Sequence, residues 1–155
     1  MMKILSIDPS SNRIETSTTG VVLLDNAGLV SYWIVAFGAR NFSRWFREVG
    51  RDLEYDVAIV EEYQVRDNDY SRDNSVAETV EAVQACFPNV ELVRNAGYVS
   101  DIPDQLLREL GLWTFDKSHH QDVRAAARLA LFWAQRKDIE EVIQDIGNRI
   151  TQMAS

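Results

Sequence analysis

Three acidic positions stand at the ends of predicted secondary-structure elements, where side chains from distant parts of a chain can converge. Asp8 ends an apolar run and is followed by a proline, while Glu61 and Glu62 close the apolar run 57–60. Asp122 follows a pair of histidines at the start of a long helical pattern. Carboxylate oxygens are the ligands that hard divalent cations prefer. The placement of these acids therefore suggests a divalent-metal site.

Each acid also has an ordinary structural explanation. Asp is favoured in turns, which could account for Asp8, and acids favour the first turn of a helix, which could account for Asp122. Glu61 and Glu62 could be solvated surface charges, and at least one of them is expected to be. A single such acid would favour the structural explanation, whereas three at element ends favour a shared site.

Length and composition favour one soluble domain. The chain has 155 residues, of which 46% are hydrophobic, enough for one well-buried core. No apolar stretch approaches the roughly 18 to 20 residues of a membrane span, so we expect a cytoplasmic protein without a membrane partner. The single cysteine, Cys86, excludes an internal disulfide framework and a cysteine zinc cluster. It fits the core face of a helix.

The net charge of −8 argues against a protein that simply coats nucleic acid, because neutralising phosphates requires clustered Lys and Arg. The charge is unevenly distributed, however. Residues 40–51 carry four arginines against one glutamate, and residues 117–137 carry five basic residues against one aspartate. Between them, residues 52–116 hold fifteen acids and four bases. The two basic islands could bind phosphates locally, particularly if metal ions offset the acids at the site.

The pattern of apolar residues predicts three strands before any long helix, and then an alternation of strands and helices. The predicted strands are 3–8, 19–24, 30–37, 57–60 and 90–93. The predicted helices are 42–50 with Ser43 as N-cap, then 75–86, 102–110, 118–137 and 138–152. This order is that of an α/β RNase H-like fold, a five-stranded mixed sheet whose first three strands are antiparallel, flanked by helices. We expect residues 1–155 to form one such domain.

Three motifs in this order resemble RuvC-type Holliday-junction resolvases. Ile7-Asp8-Pro9-Ser10-Ser11 with Thr19-Gly20-Val21-Val22 is similar to the opening strand pair of that family. Val60-Glu61-Glu62 resembles its second acidic motif, and the segment from His119 to Ala126 resembles the start of its final helix. The resemblance spans nearly the whole chain, and phage-encoded members look most similar. One departure is the scarcity of lysine, which puts DNA engagement on arginine or metal.

The resemblance implies a metal-dependent endonuclease that makes paired nicks in four-way junctions or other branched DNA. Two Mg²⁺ ions, for which Mn²⁺ can substitute, would be held by Asp8, Glu61, His119 and Asp122, with Asp8 bridging. His119 shares a helical face with Asp122, three residues later, whereas His120 does not. Because histidine titrates near pH 6.5, we expect cleavage to fall on acidification more steeply than in an all-carboxylate relative.

Candidate DNA contacts flank these motifs. Basic residues on or before the final helix could grip phosphates, and a polar loop after Glu61 could probe the junction. The candidates are Lys117, Arg124 and Arg128 near the helix, and Tyr63, Arg66, Tyr70 and Arg72 in the loop. The arginines of 40–51 could form a further DNA-facing stripe or a solvated face. The apolar face of 75–86 could be core or the surface of the homodimer that paired nicking implies.

Two other functions stay open from the sequence. The same site could serve a nuclease with broader specificity for flaps, forks or RNA/DNA hybrids, since surfaces determine the substrate. Alternatively, the chain could be a noncatalytic RNase H-like adaptor whose carboxylates cap turns. If the chain is phage-encoded, the expected location is the host cytoplasm.

Overall fold

The structure is a computed structural model that describes residues 2–25, 28–64, 73–115 and 120–137. Its five strands are β1 Ile4–Asp8, β2 Thr18–Asp25, β3 Gly28–Ala36, β4 Val57–Glu61 and β5 Glu91–Val93. Its helices are α1 Gly38–Glu48, α2 Val76–Cys86, α3 Tyr98–Asp101, α4 Asp104–Glu109 and α5 His120–Arg136, with a 3₁₀ turn at Gly50–Asp52.

The five strands form one mixed sheet in the order β3-β2-β1-β4-β5. β1, β2 and β3 pair antiparallel, whereas β4 pairs parallel with both β1 and β5. The predicted RNase H-like fold is confirmed in strand number, strand direction and the placement of helices. β1 lies at the centre because its short apolar run can be covered on both faces.

Side chains that alternate along the strands fill two cores, one on each face of the sheet. On the first face, Ile4 and Ile59 pack beneath α5 with residues of α4, and on the second face Leu5 and Val60 pack beneath α1 and α2. Small side chains such as Ala126 let α5 lie close to the sheet. Asp8 and Glu61 follow the same alternation as Ile4 and Ile59, so both belong to the face covered by α5.

The first helix begins earlier than the sequence pattern predicts, and the prediction that Ser43 caps it is wrong. α1 starts at Gly38, which has a φ of 83°. Its first amides are satisfied from the β1–β2 connection: Gly38 N–H donates to Ser10 Oγ at 2.9 Å, and Ala39 N–H donates to Asn12 Oδ1 at 2.9 Å. The cap comes from residues distant in sequence, so local capping rules could not locate it.

The predicted helix 102–110 is the shorter helix α4, and a short helix that the sequence did not predict, α3, precedes it. α3 ends at Asp101, and α4 begins at Asp104 after Pro103, whose φ of −72° and ψ of 162° are extended. A proline disfavours helical geometry in the residue before it, which explains the break at Ile102. The predicted helix 138–152 and the first residues of the predicted helix 118–137 lie outside the described residues.

The buried residues of the apolar face of α2 belong to the core, which is one of the two alternatives that the sequence left open. Val80 and Val83 are buried against the second face of the sheet, and Cys86 packs at the edge of the same core. These side chains are therefore not available to a second subunit. In the part of the chain that the structure describes, no helix has the length and apolarity needed to cross a membrane.

Candidate functional site

Asp8 and Glu61 meet at the carboxyl ends of two adjacent parallel strands. Ile7 pairs with Val60 across β1 and β4, so the next residue on each strand is an acid. Asp8 and Glu61 then point to the same face, toward α5. Their carboxyl groups are close enough that Glu61 raises the pKa of Asp8, through its charge and a side-chain hydrogen bond. The sequence prediction that these two strand ends converge agrees with this geometry.

Asp122 reaches the same region from the first turn of α5 because β2 carries a glycine at the point of closest approach. Gly20 pairs with Asp8 across β1 and β2. A Cβ atom at Gly20 would overlap the backbone carbonyl of Asp122 and lie 2.8 Å from the backbone nitrogen of Val123. Thr18, on the same face of β2, donates a hydrogen bond to Asp122 Oδ2. Gly20 and Thr18 thus set both the position and the orientation of the third acid.

The electrostatics of the site are those of crowded carboxylates. Burial raises the pKa of Asp8 well above its usual range, and the charge of Glu61, its hydrogen bond with Asp8 and the charge of Asp122 raise it further. Among the described residues, the ion pairs include neither Asp8 nor Glu61. Two carboxylates that share a site favour retention of one proton unless a cation neutralises them.

The donor chemistry fits a divalent metal, although the described side chains do not form a closed cage. Within 2–25, 28–64, 73–115 and 120–137, no three His, Cys, Asp or Glu side chains are close enough to hold one ion. His119, the fourth predicted ligand, lies outside the described residues. Oxygen ligands with excess negative charge are what Mg²⁺ and Mn²⁺ take in proteins. Asp8 and Glu61 are the residues best placed to hold such an ion, with Asp122 beside them.

Two residues that the sequence reasoning missed surround Glu61. Asn95 Nδ2 donates a hydrogen bond to Glu61 Oε1 at 2.6 Å. The hydroxyl of Tyr98 lies close enough to the site that burial, Glu61 and Asp8, in that order, raise its pKa. Asn95 stands just after strand β5, so the logic that selected the strand-end acids could have selected it too. No comparable feature of the sequence indicated that Tyr98 lies near the site.

The connection that follows Asp8 is held by hydroxyl groups. Ser10 Oγ lies 2.7 Å from Thr19 Oγ1, which ties the connection to β2. Ser11 Oγ donates to Asp73, and Asn12 N–H donates to Ser75 Oγ at 2.9 Å, which ties it to the start of α2. These bonds fix the backbone on the far side of Asp8, so its carboxylate is presented by a rigid strand end.

The predicted DNA contacts on α5 differ in their partners. Arg128 has only 12% of its side chain exposed, forms an ion pair with Asp104, and lies over the ring of Tyr98 at 5.6 Å. Its position favours a link between α4 and α5 over a contact with DNA. Arg124 is half-buried, stacks on Trp113 and takes part in none of the ion pairs between described residues. The predicted contact residue Lys117 lies outside the described residues.

The predicted loop contacts fall almost entirely outside the described residues. Arg66, Tyr70 and Arg72 are not described, whereas Tyr63 is half-buried against the second core. Its hydroxyl donates to the backbone carbonyl of Asp73 at 3.0 Å, and it also hydrogen-bonds to the side chain of Asn74 at 2.9 Å. Tyr63 therefore joins the two ends of the loop, which favours an anchoring role.

The arginines of 40–51 are exposed, and the aromatic residues between them are core. Phe42 and Trp45 are buried, and Phe46 packs against the same cluster. α1, which carries most of these arginines, covers the second face of the sheet, whereas Asp8 and Glu61 belong to the first face. The structure therefore does not bring the arginines of α1 together with the acidic site.

Strand order, strand direction and acids at the ends of β1 and β4 define an α/β domain of the RNase H-like class with an acidic strand-end site. No protein-family model and no curated protein sequence matches this chain. Solved structures do match, and they include RuvC of Thermus thermophilus and the Holliday junction resolvase of fowlpox virus.

The similarity to these structures covers most of each chain. Thermus thermophilus RuvC in complex with its Holliday junction substrate has a TM-score of 0.63 and 17% identity, covering 88% of this chain and 96% of that one. A second structure of the same RuvC gives a TM-score of 0.60, 18% identity, and 88% and 97% coverage. The fowlpox virus resolvase has a TM-score of 0.51 and 13% identity, covering 87% of this chain and 99% of that one. At these identities the similarity shows a shared fold, and it agrees with the resemblance found in the motifs.

Proposed function

We propose that this protein is a metal-dependent, structure-selective endodeoxyribonuclease that resolves four-way junctions or related branched DNA. The observation that carries the proposal is the contact of Asp8 with Glu61 at the ends of adjacent parallel strands, with Asp122 beside them. This arrangement lies in a fold shared with RuvC, which was solved with a Holliday junction substrate. Residues 1–155 would act as one such domain, in the cytoplasm.

The proposed ligands are Asp8, Glu61 and Asp122, with His119 completing the set. When bound, Mg²⁺ or Mn²⁺ would supply Lewis-acid stabilisation of phosphate charge and would lower the pKa of a water molecule. The protein's own part is to hold the carboxylates in place. The raised pKa of Asp8 favours its protonated form, so metal binding would displace that proton, and Asn95 keeps Glu61 oriented through its hydrogen bond.

Branched DNA is supported as the substrate by the two kinds of neighbour, one solved with a Holliday junction and one described as a Holliday junction resolvase. Cutting two matching strands of a junction calls for two active sites related by symmetry, so we propose a homodimer. Val80 and Val83 of α2 pack in the core, so the dimer surface would use other residues.

The decisive experiment measures nicking of a labelled immobile four-way junction and of its matched duplex, with Mg²⁺, Mn²⁺ or chelator. Wild type should make paired, metal-dependent cuts in the junction alone, and Asp8→Asn should abolish them. Glu62→Gln is the matched control, because Glu62 is adjacent to Glu61 but pairs with Arg94 at 2.9 Å. It should retain cleavage.

Other outcomes of this experiment identify other functions. Equal cutting of flaps, forks or RNA/DNA hybrids would indicate a broader nuclease with the same site. Junction binding without cutting under any metal condition would contradict the nuclease proposal and favour the adaptor. Loss of cutting in both Asp8→Asn and Glu62→Gln would show that the assay reports general damage at this sheet edge.

A further inference from the structure

Two arginines from different helices converge on one indole ring. Arg108 of α4 places its guanidinium carbon 4.4 Å from the centroid of Trp113, and Arg124 of α5 places its own at 3.7 Å. Arg124 is fixed further because its Nε donates to the backbone carbonyl of Trp113 at 2.6 Å. We call Arg108, Trp113 and Arg124 the Trp113 stack. Its geometry holds two long cationic side chains in place before any ligand arrives.

The two guanidinium groups of the stack lack acidic partners within the described part of the chain. Six other basic side chains there form ion pairs with carboxylates, namely Arg13, Arg51, Arg94, Arg128, Arg136 and Lys137, whereas Lys3 and the α1 arginines do not. Arg108 and Arg124 take part in none of these pairs, although the protein carries a net charge of −8. Contact with an indole stabilises a cation but leaves its charge in place. The stack therefore offers two positive charges to an anion from outside.

Two members of the stack, Trp113 and Arg124, line a pocket whose wall also carries the Asp104–Arg128 ion pair. This pocket has a volume of about 270 Å³ and lies between the α3–α4 segment and the first turns of α5, where Gln121 and Arg124 line it with Trp113. The same turns of α5 carry Asp122. Tyr98, on the opposite wall, is close enough to the acidic site for Glu61 to raise its pKa. The pocket and the acidic site are thus at the same end of the molecule.

We propose that the Trp113 stack is a binding site for the phosphodiester backbone of the DNA strand, next to the position where the acidic site cleaves. The inference rests on the proposed function and adds residues to it, since Arg108 and Trp113 have no other assigned role. Guanidinium forks bind phosphate oxygens through two parallel hydrogen bonds. Among the described residues, the hydrogen bond of Arg124 to Trp113 uses Nε and not a terminal nitrogen. Trp113 acts as a positioning residue that presents both forks.

The test is binding of an immobile four-way junction and its matched duplex in chelator, which separates binding from cleavage. Arg108→Gln, Arg124→Gln and the double variant are titrated at several salt concentrations. Each single change should weaken binding roughly tenfold, the effect of losing one charge-assisted hydrogen bond. It should also reduce the slope of log Kd against log salt by about 0.9, since one phosphate contact is lost.

Arg44→Gln and Arg47→Gln are the matched controls. Both residues are exposed arginines on α1 without an ion pair in the described structure, and α1 covers the other face of the sheet. These variants should bind like wild type with an unchanged salt slope. Arg124→Lys keeps the charge without the planar fork, so it should retain the slope but lose part of the affinity. Thermal melting of each variant checks that folding is intact.

The outcomes separate this inference from the proposed function. If the stack variants bind DNA like wild type while wild type cleaves junctions, the Trp113 stack is not a DNA-binding site, and the nuclease proposal is unaffected. Weaker binding in the α1 variants alone would move the DNA contact to the other face and also overturn it. If the stack variants bind DNA more weakly and with a reduced salt slope, but wild type never cleaves, the Trp113 stack is supported as a DNA-binding site and the nuclease proposal is refuted. Failure of wild type to bind any DNA would overturn the stack.

Discussion

Replacing Asp8 by Asn should stabilise the metal-free protein while abolishing cleavage. The Asp8 carboxyl is half-buried beside Glu61 and Asp122, so the folded state disfavours its ionised form. Asparagine has nearly the same shape, carries no charge and can still donate a hydrogen bond to Glu61. The substitution therefore removes the repulsion between Asp8 and the two neighbouring carboxylates. Loss of a metal ligand should remove cleavage at the same time.

The sign of the pH dependence follows from the raised pKa. Below the ordinary aspartate pKa of 3.8, Asp8 is protonated in both the folded and the unfolded state. As pH rises, the unfolded chain ionises first, so the folded wild type loses stability until its own Asp8 is ionised. The Asp8→Asn variant does not lose stability in this way, because asparagine does not ionise. The difference in free energy of unfolding between variant and wild type should therefore grow with pH and level off above the folded pKa.

The expected gain is about 0.5 to 2 kcal/mol at neutral pH, typical of relieving one unfavourable site. For a chain of this length it corresponds to an increase in Tm of about 1 to 8 °C. Metal should reverse the order of stability, because a ligand at 100 times its Kd stabilises the folded state by about 2.7 kcal/mol. Wild type should gain this stabilisation in saturating Mg²⁺, and the Asp8→Asn variant should be stabilised less.

The assay is thermal or urea unfolding of wild type, Asp8→Asn and Glu62→Gln, from pH 4 to 8, in chelator and in Mg²⁺. Comparing variant with wild type at each pH cancels the titration of other groups, such as Asp73 and Glu91, whose pKa values are lowered. Glu62→Gln should change stability by less than about 1 kcal/mol, because its pair with Arg94 is exposed. An Asp8→Asn protein less stable than wild type in chelator at neutral pH would refute the reasoning.

Three further predictions concern how the site is assembled and titrated. Gly20→Ala should destabilise the fold by about 1 to 3 kcal/mol through overpacking and impair cleavage, because its Cβ would displace the backbone of Asp122; urea unfolding and a nicking assay check this. Asn95→Ala should reduce cleavage about 10- to 100-fold with little change in Tm, because Glu61 loses its orienting hydrogen bond; unchanged cleavage would contradict it. Cleavage should fall on acidification through about pH 6.5, and a profile flat to about pH 5 would remove His119 from the metal role.

The fold could be predicted from the sequence because its signals are local. Short apolar runs bounded by turn residues predicted all five strands, and their order with the helices predicted the mixed sheet. The predictions fail where residues distant in sequence determine the local structure. α1 begins at Gly38 because Ser10 and Asn12 cap it from another connection. The face of α2 was ambiguous because the same apolar pattern serves a core and a subunit surface.

The acids of the site could be predicted for a similar reason: each one ends an element, and parallel strands bring their carboxyl ends to one edge of a sheet. The positions of the acids depend on the pairing register between β1 and β2. Gly20 matters because it pairs with Asp8 and faces the start of α5, and no feature of a single glycine in a strand reveals that. The acids themselves therefore specify the chemistry, whereas the residues without charge around them specify the distances on which that chemistry depends. A variant series confined to the acids would test only the first of these.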